Sequence, residues 1–289
     1  MIISATRRTD IPAFYSEWFM NRIRAGFCIV PNPFNRAQVS RVSLIPDDVD
    51  GIVFWTRNPR PMLSHLPELE DRGYRYYFLY TLMANPRAID PGAPPLQKSI
   101  DTFRELASRI GPRRVVWRYD PIFLTSITDP EHHATAYGQI AGALRGCTEK
   151  SVISVAHMYR KIQGRVRGLT DQGIELLSPD GELLSPLLHS LADIASANDM
   201  EIQSCANDLL AWGISPGKCI DERILSLWGQ EIEVGKDACQ REHCRCAASK
   251  DIGMYESCPS GCVYCYATTS FERARANYRM HDPGCPSLL

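Results

Sequence analysis

Short apolar, β-branched runs that end in polar or charged residues recur along this chain of 289 residues. The clearest are IISATRRTD, VDGIVFWTRNP, YRYYFLYTLMAN, RRVVWRYDPI, KSVISVAHM and MEIQSCAND. Strands of a parallel sheet are covered on both faces, so they typically appear as continuous apolar runs of this length. The pattern therefore predicts buried parallel strands.

Helical patterns separate these runs, at residues 13–25, 61–72, 96–110, 131–144 and 182–197. Gly26, Gly73 and Gly111 follow the first three, where a left-handed glycine commonly ends a helix. Strand and helix alternate about six times, which predicts an α/β fold, a full or partial (β/α) TIM-like barrel. An open doubly wound sheet is less favoured, since no glycine-rich phosphate-binding fingerprint follows the first strand.

The pattern changes near residue 205, where the chain becomes rich in cysteines and turn-forming residues, as in AWGISPGKCID and CQREHCRCAASKD. Loop-built segments of this kind commonly surround metals. We therefore expect a barrel core over residues 1–204. A cysteine-rich cluster-binding region over residues 205–289 is expected to pack on the barrel mouth.

Composition narrows the class of protein. With 22% charged residues and a net charge of -1, bulk charge gives no reason to expect a nucleic-acid partner. The first residues lack the apolar core of a secretory signal, and no apolar run approaches the roughly 18 residues of a membrane span. We expect a cytoplasmic protein without membrane contact. Cysteines in that reducing compartment more often bind metal than form disulfides, and most of the 11 lie between Cys219 and Cys285.

Polar residues follow the predicted strands, at the barrel end where chemistry is normally found. The candidates are Arg7, Arg57, Arg118, Asp120 and His157, whose groups suit carboxylates, hydroxyls and amino groups. Arg118, Asp120 and His157 are the catalytic candidates.

Each candidate also has an ordinary structural interpretation. Asp10, two residues before Pro12, could equally cap the first helix. Arg118 and Asp120 could form a structural ion pair, and a lone histidine such as His157 is more often packed than catalytic.

The stretch CPSGCVYC places Cys258, Cys262 and Cys265 in a C-x3-C-x2-C triad. A structural zinc site uses four protein ligands, commonly from two C-x2-C pairs. Three unequally spaced thiolates suit an iron-sulfur cluster in which one iron has no protein ligand. A zinc knuckle completed by Cys285 or a histidine is the alternative.

This triad, with Tyr264 at the aromatic position of C-x3-C-x-aromatic-C, resembles the signature of radical S-adenosylmethionine (SAM) enzymes. The resemblance implies a 4Fe-4S cluster on three cysteines that binds SAM through its amino and carboxylate groups. It also implies reductive cleavage of SAM to methionine and a 5'-deoxyadenosyl radical, which removes a hydrogen atom from the substrate. Tyr264 would contact adenine mainly through its backbone, and Arg7 and Arg57 would contact SAM or substrate.

The whole chain resembles a bacterial family known as domain of unknown function 1848, which is described as ending in a radical-SAM-like cysteine cluster. The motifs that carry this resemblance are ISATRRTDIPAFY, VFWTRNP, WRYDPI, KCID, C-x-C and DIGMYESCPSGCVYCYA, in this order. Radical SAM enzymes usually carry the triad after their first strand, whereas here it comes late. SKDIGMY, the triad loop and YATTSFERARANYRM could form that first unit in permuted order. We expect the triad loop to close over a mouth formed by Arg7, Trp55, Arg57, Arg118 and Asp120.

A second group of cysteines comprises Cys205, Cys219, Cys244 and Cys246. It could hold an auxiliary 4Fe-4S cluster or a structural zinc ion, or consist of buried free thiols. Cys239 and Cys285 are expected to be incidental.

These observations together predict a radical SAM-like enzyme that modifies an unknown small molecule, with electrons from a reductant such as flavodoxin or ferredoxin. Sulfur insertion from the auxiliary cluster is a narrower version. One alternative is a non-catalytic iron-sulfur or zinc protein for electron transfer or interaction. The other is a radical SAM nucleic-acid repair enzyme, which requires a continuous basic groove leading to the triad.

Overall fold

The core of the chain is a parallel sheet of eight strands. The computed structural model describes residues 1–33, 35, 37–229, 231–238, 240–241 and 243–289. Within them the strands are β1 (Ile2–Ala5), β2 (Phe27–Pro31), β3 (Val39–Ser43), β4 (Gly51–Thr56), β5 (Tyr76–Thr81), β6 (Val115–Ile122), β7 (Lys150–Val155), β8 (Glu201–Ser204), β9 (Ser215–Pro216) and β10 (Lys250–Asp251). The α-helices there are α1 (Ile11–Phe14), α2 (Ser16–Ala25), α3 (Leu66–Asp71), α4 (Leu96–Ile110), α5 (Pro130–Leu144), α6 (Gln163–Thr170), α7 (Gly181–Ala197), α8 (Glu222–Leu225) and α9 (Phe271–Arg279).

The strands of the main sheet follow the order β10-β1-β4-β5-β6-β7-β8-β9, and each described pair is parallel. β2 and β3 form a separate antiparallel hairpin. The apolar runs of the sequence form β1, β4, β5, β6, β7 and β8, so the predicted α/β fold is confirmed.

Two predicted helices differ from those in the structure, one in length and one in being divided. Residues 60–65 form a 3-10 helix before α3 begins at Leu66. The first predicted helix is divided into α1 and α2 at Tyr15. Gly26 ends α2 in the left-handed conformation, as expected, with φ at 75°.

The two faces of the sheet have different partners. Successive residues of a strand point to opposite faces, so Phe54, Phe78 and Trp117 lie on one side and their neighbours on the other. The first face packs on helix side chains such as Trp18, Phe19, Phe103, Tyr137 and Leu191. The second face carries Ile2, Val53, Tyr77, Val116 and Val152 and packs on Cys205, Cys219, Ile220, Leu225, Cys244 and Cys246. The cysteine-rich segment therefore covers the face opposite to the long helices α2, α4, α5 and α7.

Tyr77 connects the second face of the sheet to the cysteine-rich segment. Its hydroxyl donates to the Cys219 carbonyl at 2.6 Å and accepts from the Asp221 N–H at 2.8 Å. The hydroxyl of a fully buried tyrosine is thus satisfied by backbone groups. Within the described part of the chain, no helix has the length and apolarity for a membrane crossing.

A buried histidine on α5, packed against β6, should make the fold sensitive to acid. Burial lowers the pKa of His133 to about 4, and its Nδ1 lies 2.9 Å from the Tyr119 hydroxyl. Below pH 6.5 the unfolded state binds a proton that the folded state does not, so stability falls as the pH drops toward 4. The loss attributable to His133 should reach about 3 kcal/mol. Urea unfolding at several pH values should show a flatter pH profile for His133→Gln, and an unchanged profile would contradict this assignment.

Candidate active site

The predicted site residues converge on one cavity at the carboxyl ends of the strands. Its volume is about 450 Å³. The lining includes Arg7, Arg57, Arg118, Asp120, His157, Tyr264, Cys205, Cys244, Cys246, Cys258, Cys262 and Cys265. Cys219 is not part of the lining, but its Sγ lies 3.1 Å from that of Cys205. The two cysteine sets thus face a common space.

Parallel pairing of β10 with β1 brings the triad loop to this cavity. Ile3 is in register with Lys250 and Ser4 with Asp251. The Asp251 carboxylate fastens the junction, because it accepts from the Ser4 hydroxyl at 3.1 Å and the Arg7 N–H at 3.0 Å. The loop therefore starts at the strand end beside Arg7.

The triad loop is also held from the other side, by the loop after β5. The Val263 N–H donates to the Ile89 carbonyl at 3.1 Å. Gly92 approaches the Ser260 carbonyl so closely that an added Cβ would lie 2.2 Å from its oxygen. A glycine is therefore needed at this approach between two backbones.

A buried polar network links β4 to the triad. Arg57 pairs with Asp90 through two hydrogen bonds, Nη1 to Oδ1 at 2.6 Å and Nη2 to Oδ2 at 2.9 Å. The same Nη1 also lies 3.1 Å from the Cys262 Sγ and 2.7 Å from the Tyr264 hydroxyl. That hydroxyl donates to Asp90 at 2.8 Å. The Tyr264 side chain is therefore part of this network.

The pairing of Arg57 with Asp90 keeps both groups charged despite their burial. Burial acts to raise the pKa of Asp90, but the charge and hydrogen bonds of Arg57 hold it below its usual value. Burial likewise opposes the charge on Arg57, whose pKa is nevertheless well above its ordinary value because of Asp90. Both groups are thus ionised in the interior.

Removing one partner of this pair should be costly. We expect Arg57→Met to lower the free energy of unfolding by roughly 3 to 5 kcal/mol, because it leaves the Asp90 carboxylate buried and uncompensated. As a control, Arg24→Met breaks the exposed pair with Glu68 and should cost about 1 kcal/mol or less. Urea unfolding of both variants would check this, and equal losses would contradict the structural importance of the Arg57–Asp90 pair.

Burial favours the protonated thiol at two of the three triad cysteines. Burial raises the pKa of Cys258 to about 11 and that of Cys262 well above its usual value. Cys258 donates to the Ser260 hydroxyl at 3.3 Å. A bound metal replaces such thiol protons, because the thiolate is the coordinating form.

The second cysteine set has coupled sulfurs. The Cys219 thiol donates to the Cys205 sulfur, which raises the pKa of Cys219 and lowers that of Cys205. Hydrogen bonding with Cys219 and Cys244 lowers the pKa of Cys246, and the same interaction raises the pKa of Cys244. The Ile220 N–H also lies 3.4 Å from the Cys246 sulfur. In neither set do three or more ligand side chains of the described residues surround a position for one metal ion.

Asp10, a further candidate from the sequence, both caps a helix and lines the cavity. Asp10 caps α1 by accepting from the Ala13 N–H at 3.0 Å and also accepts from the Arg57 N–H at 2.7 Å, and burial raises its pKa to about 6. The structure thus gives Asp10 a capping contact and a place on the cavity.

The catalytic candidates lie on the same cavity at different depths. Asp120 accepts hydrogen bonds from Arg118 and from the Ser154 hydroxyl, so the ion pair considered from the sequence is present. His157 is exposed, and its Nε2 lies 3.4 Å from Asn207. Partial burial and the nearby Arg241 lower its pKa.

The two cysteines expected to be incidental are placed differently. Cys285 is exposed and does not line the cavity, while Cys239 lies outside the described residues. The carbonyl of Cys285 accepts from the Trp18 indole N–H at 3.0 Å, which fixes the residue beside α2.

Sequence reasoning missed several residues that hold the site together. Asp90 lies in the proline- and glycine-rich stretch AIDPGAPP, which indicates only a turn. Asp251 and Tyr266 also carried no signal of their own, although the Tyr266 hydroxyl donates to the Arg7 carbonyl at 3.0 Å. Their contacts join residues far apart in the sequence: 33 positions for Asp90 and Arg57, 174 for Asp90 and Tyr264, and 244 for Asp251 and Arg7.

Comparison with known proteins gives a family. No curated protein matches the chain. The sequence profile described as Domain of unknown function (DUF1848) matches residues 2–267, a span that includes both cysteine sets. The chain therefore belongs to the family of domain of unknown function 1848.

Proposed function

We propose that this protein is a radical SAM-like enzyme in which Cys258, Cys262 and Cys265 hold a 4Fe-4S cluster that binds SAM. The observation that carries the proposal is the shared cavity, on which this triad lies together with Arg7, Arg57, Arg118 and Asp120. Clusters with an open iron act where substrate can reach them, and this cavity offers such access.

The proposal includes a partial (β/α) barrel. From β1 to β9 the main sheet follows chain order, and the long helices α2, α4, α5 and α7 all join the core cluster on the same face. A doubly wound sheet would instead reverse its strand order at a switch point and carry helices on both faces. In this view β10, the triad loop and α9 form the first unit of the barrel in permuted order.

The triad residues fit such a cluster by their chemistry. Burial raises the pKa values of the Cys258 and Cys262 thiols, all three triad cysteines line the cavity, and the cavity offers space for a ligand. Three thiolates leave one iron of a 4Fe-4S cluster without a protein ligand. Arg57 would hold the loop in place and donate an N–H to Cys262.

Held by Cys258, Cys262 and Cys265, the cluster would supply one-electron reductive cleavage of SAM to methionine and a 5'-deoxyadenosyl radical, with reduced flavodoxin or ferredoxin as the electron source and a substrate hydrogen atom converting the radical to 5'-deoxyadenosine. This chain would position the substrate and exclude water. The buried Trp55 and the partly buried Tyr264 supply walls for that purpose, while Arg118, Asp120 and His157 are the candidates for contact with the reacting molecule.

The second cysteine set extends the proposal. We assign Cys205, Cys219, Cys244 and Cys246 to an auxiliary 4Fe-4S cluster, with structural zinc as the alternative metal. Because Cys205, Cys244 and Cys246 face the same cavity as the triad, sulfur insertion into the substrate is the second candidate reaction. Free thiols suit a reducing compartment, so a cytoplasmic location is part of the proposal.

Anaerobic reconstitution tests the function directly. We expect about eight irons per chain for two cubane clusters and formation of 5'-deoxyadenosine from SAM under strong reductant. Cys244→Ala should lose about four irons and keep SAM cleavage, since it affects only the auxiliary set. A protein that carries iron at the triad and makes no 5'-deoxyadenosine would instead be a non-catalytic iron-sulfur protein.

A further inference from the structure

Two arginines share one aromatic ring inside the cavity. The Arg118 Cζ lies 4.6 Å from the centroid of the Trp55 ring, and the Arg7 Cζ lies 5.5 Å from it. All three side chains line the cavity, and the indole is almost wholly buried. The ring therefore presents two guanidinium groups close together in a site with little water.

Each of these side chains carries a buried donor without an acceptor. Among the described residues, the Arg7 Nη2, the Arg118 Nε and the Trp55 Nε1 have no hydrogen-bond partner. Buried polar groups in folded proteins are normally satisfied, by protein or by a bound molecule. Since all three atoms are donors and none can accept, the missing partner must be rich in acceptor atoms.

Arginines outnumber carboxylates on the wall of the cavity, although Arg57 and Arg8 already face Asp90 and Asp251 behind it. The lining contains five arginines and two aspartates, namely Arg7, Arg8, Arg57, Arg118, Arg241, Asp10 and Asp120. Arg118 is paired with Asp120, and the nearest carboxylate recorded for the Arg7 guanidinium, that of Asp237, is 3.7 Å away. These contacts leave the unpartnered nitrogens of both arginines available to a ligand.

The neighbours of the two arginines define where that ligand would lie. The Trp55 ring, over which both guanidinium groups lie, packs in the same buried cluster as Cys205, Cys219, Cys244 and Cys246. Arg57, by contrast, contacts Cys262 of the triad. The pair therefore occupies the end of the cavity nearer the second cysteine set.

We propose that Arg7, Trp55 and Arg118 form a subsite for an oxyanion, a carboxylate or phosphate group of the small-molecule substrate. The identity of this ligand as substrate rests on the proposed function. The forked guanidinium donors and the indole N–H suit the several acceptor atoms of such a group. Anchored there, the rest of the molecule lies between the second cysteine set and the triad.

Ligand capture tests this subsite without turnover. The reconstituted protein, kept oxidised with SAM, is incubated with the small-molecule fraction of a bacterial extract, desalted and denatured, and retained compounds are identified by mass spectrometry. We expect an anionic compound besides SAM, reduced about tenfold or more in Arg7→Gln and in Arg118→Gln, as for loss of a charge-assisted hydrogen bond. Prior esterification of the extract should remove a carboxylate ligand, and phosphatase treatment a phosphate ester.

Matched variants separate this role from others. Arg24→Gln, on the exposed surface, should retain the anion fully, and Trp55→Phe should weaken retention while keeping the ring. Retention of only neutral compounds, of nothing besides SAM, or of the anion in the unsubstituted protein's amount by both arginine variants would overturn the subsite. So would loss of iron or SAM from those variants, since the arginines would then serve the clusters or SAM itself. Anion retention without any SAM cleavage would leave the subsite standing and refute the proposed function.

Discussion

Replacing Cys262 by alanine is expected to abolish formation of 5'-deoxyadenosine from SAM. Cys262 is the central member of the triad, and its sulfur is the one that Arg57 contacts at 3.1 Å. Two remaining thiolates cannot hold the three-cysteine cluster on which the proposed reaction depends. The change in side-chain volume is small, so the loss should be chemical rather than structural.

Iron content and the electron paramagnetic resonance signal of the reduced protein should both report the loss. We expect about four irons fewer per chain, with the auxiliary signal kept. Cys285→Ala is the matched control, because Cys285 is an exposed thiol that does not line the cavity. If Cys262→Ala still cleaves SAM at the rate of Cys285→Ala, the triad is not the catalytic centre.

Replacing Gly92 by alanine should displace the triad loop itself. An added Cβ would lie 2.2 Å from the Ser260 carbonyl oxygen and 2.9 Å from its carbonyl carbon and Cα. Because these are backbone atoms, rotation of a side chain cannot relieve the overlap. The triad loop must move, and we expect a loss of about 1 to 3 kcal/mol in the free energy of unfolding.

The displaced loop should also bind iron less completely. Gly164→Ala in α6 is the matched control, since nothing lies within 4 Å of its added Cβ. That variant should be neutral or slightly more stable, by up to about 1 kcal/mol, as for alanine in place of glycine in a helix. Urea unfolding and iron analysis would measure both effects. Wild-type iron content and stability in Gly92→Ala would show that the close approach to Ser260 does not position the loop.

The sequence predicts the main sheet well because local patterns determine it. Apolar runs gave β1 and β4 to β8, and αL glycines such as Gly26 marked helix ends. β10 has only two residues in Lys250–Asp251, so its place beside β1 depends on pairing across the chain. Such long-range pairing leaves no periodic signal.

The site was predictable only in part, for the same reason. Cysteine spacing and the polar strand ends named the residues that the structure brings onto one cavity. The partners that hold them could not be named, because Asp90 and Tyr264 are 174 positions apart. His157 was singled out by its position after a strand, which says nothing of its exposure at the rim.

The pairing of β1 with β10 also determines the order of events in biosynthesis. β1 leaves the ribosome before the other strands of this sheet, and Lys250, its register partner at Ile3, follows 247 residues later. At about 5 to 20 residues per second, that separation takes on the order of ten seconds or more. Loading of the proposed triad cluster would follow this pairing, and until then one edge of β1 is open to other strands.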